Sequence, residues 1–362
     1  MINKKCEGSC FASLSHSGFG PIWLLFLVIF GVLFNMPVFS SESMSEINTS
    51  DVTLVAAGDL MMSRYIGKVI KENGIDYPLG RISKYISGYD LAFCNLESII
   101  GSVGNKQAFP DKPYNFLAAT ETVRIINKAG FDVVCLANNH AMDYGYSAAT
   151  ETFKLLKDNS IGYFGIGPNL SEARKPCIKE IKGIKAAFLG YGIAHSSAYY
   201  AGYNIPGIAP VRLKEIARDI AALKGKVDYI VVSLHWGNEY VHYPSKAQRR
   251  IGHKIIDAGA DIILGHHPHV LQGIENYKNK VIVYSLGNLL FDQKKHDTKY
   301  GALVAFTLSK AEGIKYQIIP LQRFETYFPG IASGSYAEEI YGMMEKYSSV
   351  FNIIDGSSTR KN

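Results

Sequence analysis

The sequence predicts an α/β fold with mixed parallel and antiparallel sheet, and three observations lead to this fold class. Short apolar runs of five to nine residues alternate with amphipathic stretches of 13 or 14 residues. Such alternation is typical of a domain with much parallel sheet. The last two apolar runs follow each other without a helix, which predicts an antiparallel pair. A chain of 362 residues, 47% of them hydrophobic, suffices for one large domain or two smaller ones.

The individual elements follow from these runs. The predicted strands are 52–58, 91–97, 132–138, 185–191, 228–236, 261–265, 281–288, 302–309 and 315–321. The predicted helices are 118–130, 147–159, 212–225 and 246–259. The last three of these helices carry apolar residues at helical spacing and end near Gly or Asn. We expect the main domain to cover 48–324, and 325–362 to add a helix and a frayed polar tail.

Residues 1–47 have the composition of an export signal and a linker. Lys4 and Lys5 precede the uncharged stretch 21–39, which is close to the ~20 residues of a membrane helix. Val38 and Ser40 are small residues of the kind that precede a cleavage site. The segment is therefore either a cleaved signal peptide or an uncleaved membrane anchor. Both alternatives place the remainder outside the cytoplasm, anchored to the cell membrane, periplasmic or secreted.

The charge of the chain limits which partners are expected, and its cysteine content indicates whether disulfides are expected. The formal net charge of +6 is not concentrated in blocks of Lys or Arg, so we expect no nucleic-acid partner. A weakly basic face that attracts an anionic polymer stays compatible with this charge. The cysteines beyond the N-terminal segment, Cys94, Cys135 and Cys177, are odd in number and widely spaced, unlike a disulfide framework. Cys94 and Cys135 are expected to be buried free thiols.

Polar side chains follow five of the predicted strands. In chain order they are Asp59; Asn95 and Glu97; Asn138, Asn139 and His140; His235 and Glu239; and His266, His267 and His269. Because ligands of an open α/β sheet bind beyond the carboxyl ends of its strands, we expect these donors to meet at one sheet edge. A buried cluster of carboxylates and imidazoles is costly unless it is paired or holds a metal. Mixed nitrogen and oxygen donors without thiolates suit Mn, Zn or Fe.

The order of these motifs resembles that of the calcineurin-like metallophosphoesterases, and within them the CapA/PgsA family of capsule synthesis proteins. The resemblance covers roughly 52–322 and is carried by AAGDLMMSR, NLES, LANNHAMDYG, LHWGNEY, GADIILGHHPHVLQG and YSLGNLLFDQ. It implies a metallophosphoesterase-like layered α/β sandwich with one or two divalent ions. It also implies a part in the biosynthesis of a capsule polymer, poly-γ-glutamate, with that polymer or its synthase subunits as partners.

The resemblance further implies roles for individual residues. The implied metal ligands are Asp59, Glu97, Asn139, His235, His266, His267 and His269, with Glu97 as the bridging carboxylate. Either His266 or His267 would serve the same ion as His235, and His269 the other ion. His140 would be the general acid or an oxyanion contact beside Asn139. Arg64 and Asn95 would contact a phosphate or another anion.

Three features depart from the superfamily pattern. Met61 stands where a histidine is usual, and a thioether is a poor ligand for a hard divalent ion. Glu97 replaces a shorter aspartate, and the histidine cluster has one residue more than usual, so the second ion is expected to bind weakly or not at all.

Pro268 predicts an extended backbone for His267. Asn288 either orients a metal ligand or is an ordinary turn residue.

Three functions compete on these grounds. The first is an exported, membrane-associated, metal-dependent hydrolase or transferase-like protein of polymer assembly. The second is a non-catalytic accessory subunit that binds the nascent polymer or its synthase, and the loss of a histidine at Met61 favours it. The third is a phosphatase for nucleotides or phospho-sugars.

Overall fold

The computed structural model describes residues 50–102, 108–109, 112–323 and 327–352. Its strands are β1 Val52–Leu60, β2 Leu91–Leu96, β3 Ile99–Ile100, β4 Leu117–Ala118, β5 Val133–Cys135, β6 Gly162–Phe164, β7 Ile166–Gly167, β8 Cys177–Ile181, β9 Ile184–Gly192, β10 Gly207–Ile208, β11 Tyr229–His235, β12 Ile262–His266, β13 Ile274–Tyr277, β14 Lys280–Val283, β15 Asn288–Leu290, β16 Tyr300–Ser309, β17 Gly313–Arg323 and β18 Pro329–Ile331. Its helices are α1 Arg64–Asn73, α2 Gly80–Ile86, α3 Val123–Ala129, α4 Gly145–Asp158, α5 Leu170–Ala173, α6 Leu213–Leu223, α7 Lys246–Ala258 and α8 Gly334–Asn352.

Two large mixed sheets form the fold. The first has the order β18-β17-β16-β1-β2-β5-β6, with β15 also paired to β1, and the second has the order β13-β14-β12-β11-β9-β8. In the first sheet β1, β2, β5 and β6 are parallel, whereas β16 and β17 form the predicted antiparallel pair. In the second sheet β9, β11, β12 and β14 are parallel, and β8 and β13 are antiparallel edges. The prediction of mixed sheets is therefore confirmed.

Alternation of side chains along the strands builds a four-layer sandwich. In β1, Leu54 packs into the core between the sheets, whereas Val55 packs against the layer that holds α1 to α4. The core between the sheets includes Phe93, Phe164 and Phe188, whose ring centroids lie 6.0–6.2 Å apart. A third cluster covers the outer face of the second sheet with α6 and α7. The layers run helix, sheet, sheet, helix, which confirms the predicted layered α/β sandwich.

The expectation that all donors meet at the edge of a single sheet is wrong. Asp59 lies near the end of β1 and Asn139 follows β5, both in the first sheet, whereas His235 and His266 end strands of the second. The donors still meet, since His235 Nε2 lies 2.9 Å from Asn139 Oδ1 across the gap between the sheets. The parallel strands of both sheets thus deliver their carboxyl ends to the same end of the sandwich.

Helix α1 carries no clear signal in the sequence. Helix α1 begins at Arg64, which has a φ of 53°, and its N-cap residue Ser63 makes no capping bond through its side chain. Helix α8 buries Ile340, Met344 and Tyr347 in the core between the sheets. No helix within the described ranges is long and apolar enough to cross a membrane. The predicted signal or anchor and most of the predicted polar tail lie outside the described residues.

Candidate metal centre

Asp59 is the fully buried carboxylate at the carboxyl end of β1. Its Oδ1 accepts a hydrogen bond of 2.8 Å from Asn95 Nδ2. Its Oδ2 accepts a hydrogen bond of 3.3 Å from the backbone N–H of His267 and lies 3.3 Å from His269 Nδ1. Burial alone would raise the pKa of Asp59, but the neighbouring imidazoles of His266 and His269 hold that pKa well below its ordinary value. Asp59 is therefore an anionic donor at neutral pH.

Asn95 orients the two carboxylates of the site. Its Nδ2 donates to Asp59 Oδ1 at 2.8 Å and to Glu97 Oε2 at 3.3 Å, and its Oδ1 accepts from Asn138 Nδ2 at 3.1 Å. Asn138 is fixed in turn because the same Nδ2 donates to the Leu96 carbonyl at 2.9 Å. Since Asn95 is fully buried, it is not placed to meet an anion from solvent. Its position instead fits a residue that holds metal ligands in their orientation.

Glu97 follows β2 and is fully buried, and its Oε1 has no hydrogen-bond partner among the described residues. This oxygen lies 3.9 Å from His140 Nε2, 3.9 Å from His235 Nε2 and 3.8 Å from His269 Nε2. These distances are too long for hydrogen bonds. Burial, and then the charge of Asp59, raises the pKa of Glu97 well above its ordinary value. A lone carboxylate oxygen surrounded by three imidazole nitrogens marks the middle of the site.

His235 and Asn139 bring the two sheets together at the site. Their contact, 2.9 Å from His235 Nε2 to Asn139 Oδ1, joins residues that are 1% and 4% exposed. Burial, and then the neighbouring His267, lowers the pKa of His235 well below its ordinary value. The imidazole is therefore neutral at neutral pH, which is the form that binds metal ions.

His266 and His267 differ in their surroundings. His266 is 1% exposed, lies against Phe93, and has no hydrogen-bond partner on either ring nitrogen among the described residues. Its Nδ1 lies 3.2 Å from Asp59 Oδ1, although the two are not aligned for a hydrogen bond. His267 is partly exposed, and its ring centroid lies 4.7 Å from that of His235. His266 thus lies on the buried side of the donor group and His267 on its more exposed side.

His269 is oriented by Asn288. The Asn288 Oδ1 accepts a hydrogen bond of 2.9 Å from His269 Nδ1, which leaves His269 Nε2 free to face Glu97. Asn288 is fixed because its Nδ2 donates to Gln293 Oε1 at 2.9 Å. Of the two roles open to Asn288, the structure favours that of orienting a metal ligand.

The backbone of the histidine turn differs from the prediction. The extended backbone expected for His267 before Pro268 is wrong, because the φ of His267 is 95° and that of His269 is 59°. Residues other than glycine seldom adopt such angles, and they persist where surrounding contacts fix them, often at functional sites. Here the His267 N–H donates to Asp59, and the Tyr240 N–H donates to the Pro268 carbonyl at 2.8 Å.

Two residues outside the predicted site, Asp143 and Lys112, hold His140. Asp143 Oδ2 lies 2.7 Å from His140 Nδ1 and accepts the Phe116 N–H at 2.7 Å. Lys112 Nζ lies 2.5 Å from Asp143 Oδ1 and donates to the Asn139 carbonyl at 2.5 Å. The Phe116 ring stacks on the imidazole with centroids 3.8 Å apart. Asp143 lies in the motif LANNHAMDYG, three residues after His140, whereas nothing in the sequence around Lys112 indicates this role.

The pKa shifts of this trio follow from burial. Burial, and then the positive charge of Lys112, lowers the pKa of His140 well below its ordinary value. Burial also lowers the pKa of Lys112 and raises the pKa of Asp143 to about 7. Asp143 and Lys112 both contact Nδ1 of His140, with Lys112 Nζ 2.9 Å away, so Nε2 is the ring nitrogen that faces the middle of the site.

Arg64 and Met61 follow β1 in opposite environments. Arg64 pairs with Asp292, keeps 30% of its side chain exposed and lies over the Phe116 ring, 4.7 Å from its centroid. It is therefore placed beside the stacked rings of Phe116 and His140. Met61 is fully buried, and its Sδ accepts hydrogen bonds of 3.1 Å from both the N–H and the O–H of Ser63. The sulfur of Met61 thus faces Ser63.

The donor set fits a divalent cation. Nitrogen and oxygen ligands lie about 2.0–2.2 Å from such an ion, so two ligands of one ion lie at most about 4.4 Å apart. The separations of 3.8–3.9 Å around Glu97 Oε1 fall within this limit. The described residues contain two sets of three donors, and within each set the donor atoms lie within 4.8 Å of one another. The first set is Asp59, Glu97 and His269, and the second is Glu239, His267 and His269. Carboxylate, amide and imidazole donors without thiolate suit Mn, Zn or Fe.

The neutral imidazoles predict that the metal-free protein is sensitive to acid. Below about pH 6.5 the unfolded chain protonates His235, whereas the folded protein, in which its pKa is depressed, does not. The unfolding free energy should therefore fall by up to about 1.4 kcal/mol per pH unit for each such imidazole as the pH decreases. Urea unfolding in the presence of a chelator, between pH 7.5 and 5, measures this slope. His235→Asn should have a shallower slope than the parent, whereas equal slopes would contradict the assignment; His296→Asn, at a side chain 70% exposed, is the control.

Comparison with known proteins places the chain in a family. The sequence matches the model of the family described as bacterial capsule synthesis protein PGA_cap over residues 53–293. It is 34% identical to the capsule biosynthesis protein CapA of Bacillus anthracis, over 82% of this chain and 74% of that protein. It is 36% identical to the PGA biosynthesis protein CapA of Bacillus subtilis strain 168, over 76% of this chain and 73% of that protein.

More distant similarities extend to other organisms. A probable polyglutamine synthesis accessory protein of Mycobacterium tuberculosis is 26% identical over 68% of this chain and 76% of that protein. Among solved structures, the NAD nucleotidase of Haemophilus influenzae has a TM-score of 0.46 and 12% identity, over 82% of this chain and 62% of that chain, a similarity too low to bear on activity. Because the family model matches more than half of the chain, and two CapA proteins exceed 30% identity over most of it, the chain belongs to the bacterial capsule synthesis protein family PGA_cap.

Proposed function

We propose that this chain is an exported, membrane-associated protein of capsule polymer biosynthesis that carries a divalent-metal site of hydrolase type. The polymer we propose is the anionic polypeptide poly-γ-glutamate, and the polymer or its synthase subunits are the partners. Membership of the PGA_cap family supports the biological role. The apolar composition of 21–39 supports export and membrane association.

One observation carries the metal site: the buried Glu97 Oε1 has no hydrogen-bond partner among the described residues, and three imidazole nitrogens lie 3.8–3.9 Å from it. A buried carboxylate without a partner is costly, and a cation between it and neutral imidazoles removes that cost. The residues that would hold the ion are Asp59, Glu97, Asn139, His235, His266, His267 and His269. These seven residues would hold one or two ions.

Individual residues of the chain have separate roles in the proposed reaction. A bound divalent ion supplies a nucleophile at neutral pH, because it lowers the pKa of water from 15.7 towards about 7. His140, held through Nδ1 by Asp143, takes a proton on Nε2 from the attacking water and returns it to the leaving group, a contribution of about 10²–10⁴ in rate. For an amide bond, the hydroxyl group of that water adds to the carbonyl carbon, the C–N bond breaks and the nitrogen leaves with the proton from His140. Arg64 is the proposed contact for a carboxylate of the polymer.

A second candidate is a non-catalytic accessory subunit that binds the polymer or helps to export it. It is supported by Met61, whose sulfur faces Ser63 and leaves the site one donor short of the superfamily pattern. It is also supported by the similarity to a protein named as a probable polyglutamine synthesis accessory protein. This candidate keeps the fold and the polymer partner but requires no turnover.

Metal analysis followed by a polymer assay distinguishes these candidates. We expect the full-length chain, purified in detergent, to contain stoichiometric Mn, Zn or Fe and to shorten poly-γ-glutamate, as seen by size-exclusion chromatography. His235→Ala should lose both properties, because it removes a buried donor between the two sheets, whereas His296→Ala, at an exposed side chain, should keep both. Metal content without shortening, but with retention of the polymer, would favour the accessory role. Hydrolysis of an aryl phosphate but not of the polymer would favour a phosphatase, and absence of metal from the parent would contradict the site.

A further inference from the structure

Glu239 is an exposed carboxylate at the more accessible side of the metal centre. Its donor atom lies within 4.8 Å of donor atoms of His267 and His269, and these two lie within the same distance of each other. The Nδ1 of His267 is buried and has no hydrogen-bond partner among the residues that the structure describes. One carboxylate and two imidazoles at this spacing form a second donor set, distinct from the one that contains Asp59 and Glu97.

The backbone holds Glu239 beside the histidine turn. Before it, the Trp236 N–H donates to the His266 carbonyl at 3.1 Å, and after it, the Tyr240 N–H donates to the Pro268 carbonyl at 2.8 Å. Tyr240 has a φ of 63°, a value that such contacts must maintain. Glu239 is therefore anchored on both sides, although its side chain is exposed to solvent.

The two donor sets differ in their exposure to solvent, and both contain His269. Asp59, Glu97 and His269 are all buried, whereas Glu239 is exposed and His267 is partly exposed. His269 belongs to both sets, but its Nδ1 donates to Asn288 Oδ1 at 2.9 Å. A single ring nitrogen, Nε2, is then left for a metal, and it can bind one ion at a time.

We propose that Glu239, His267 and His269 form an outer cation position through which a divalent ion passes between solvent and the buried position at Asp59, Glu97 and His269. Glu239 and His267 would receive the ion first, and His269 would pass it inward because it belongs to both donor sets. The proposal rests on the buried metal site of the proposed function. It assigns to Glu239 a part in loading the site rather than in holding the resident ion.

Metal exchange kinetics test this assignment. The full-length protein is freed of metal and mixed with Mn²⁺, uptake is followed by the loss of the electron paramagnetic resonance signal of aqueous Mn²⁺, and release is followed after addition of a chelator. Glu239→Gln should slow uptake and release alike, by about 10-fold if the effect resembles that of other groups around metal sites. The dissociation constant should stay unchanged, because removal of an intermediate position affects both directions equally. Glu345→Gln, which removes an exposed carboxylate from α8, is the control for charge and should change neither rate.

A second variant separates ligation from long-range attraction. Glu239→Asp keeps the charge but withdraws the carboxylate by one methylene, so it should also slow both rates. If Glu239→Asp behaves as the parent and the effect of Glu239→Gln disappears at high salt, attraction alone explains the result and the proposal is overturned. Faster release with weaker binding in Glu239→Gln would make Glu239 a resident ligand, and unchanged rates would leave it without a role; both results overturn the proposal. If the parent binds neither Mn²⁺ nor, by metal analysis, Zn or Fe, the proposed function fails and this inference with it, whereas normal binding with unchanged rates removes this inference alone.

Discussion

Replacing Glu97 by glutamine should empty the metal centre and leave the metal-free fold at least as stable as before. Glutamine keeps the shape of the side chain but removes the anionic oxygen that three imidazole nitrogens face at 3.8–3.9 Å. Mutation of a residue that only orients a metal ligand typically weakens binding 10- to 100-fold. Loss of a ligand itself should therefore weaken metal binding by at least about 10-fold. Metal analysis after equilibrium dialysis measures this effect.

Although Glu97→Gln should bind metal more weakly, its unfolding free energy in the absence of metal should be higher than that of the parent. Burial, and then Asp59, raises the pKa of Glu97 in the folded protein, so between its ordinary pKa and the raised value the folded state binds more protons than the unfolded state. The stability of the metal-free parent therefore falls as the pH rises through that window. Glu97→Gln removes this dependence, and its advantage over the parent should grow by up to about 1.4 kcal/mol per pH unit as the pH rises through that window, as measured by urea unfolding in the presence of a chelator.

Glu275 provides a matched control. It is a second buried glutamate, 7% exposed, but its Oε1 lies 2.9 Å from His253 Nε2 and its Oε2 accepts from the Tyr284 hydroxyl at 2.6 Å. Because its oxygens are paired, Glu275→Gln should lower the unfolding free energy by about 1–3 kcal/mol and leave the metal content unchanged. Glu97→Gln with unchanged metal content at equal stability would show that Glu97 is not a ligand.

Most donors of the site are predictable from the sequence, because a polar residue directly after an apolar run marks the end of a buried strand. This applies to Asp59, His235 and His266, which lie at the carboxyl ends of strands whose residues, apart from Thr53, are all buried. The division into two sheets is not predictable in this way. The second sheet begins with β8, an edge strand of alternating exposure that lacks an apolar run, so nothing in the pattern shows where the first sheet stops.

The residues that hold His140 are harder to predict for a different reason. Lys112 comes from a stretch without regular structure before Phe116, and its Nζ contacts Asn139 and Asp143, which lie about 30 positions further along the chain. A flexible side chain in a loop carries no periodicity that indicates its partner. In the same way the positive φ of His267 depends on contacts with distant residues, which outweigh the local preference before proline.

Replacing Gly58 by alanine should disrupt the centre of the fold more than any substitution at the surface. A Cβ at Gly58 would lie 2.0 Å from the Gly287 carbonyl oxygen and 2.9 Å from its carbon, and both are backbone atoms that cannot rotate away. This close approach allows the Asp59 N–H to donate to the Gly287 carbonyl at 3.0 Å and places Asp59 in register with Asn288. We therefore expect Gly58→Ala to lower the unfolding free energy by about 3 kcal/mol or more, as measured by urea unfolding.

Gly342 separates this steric effect from the general effect of adding a methyl group. It lies exposed within α8, and a Cβ there would meet nothing within 4 Å. Gly342→Ala should therefore stabilise the protein by about 0.5–1 kcal/mol through helix propensity. If Gly58→Ala still folds, Asp59 will have moved away from Asn95 and the histidine turn, so the metal content should fall even in the folded fraction. A Gly58→Ala protein with the stability and metal content of the parent would mean that β1 and the segment before β15 do not approach as closely as the site requires.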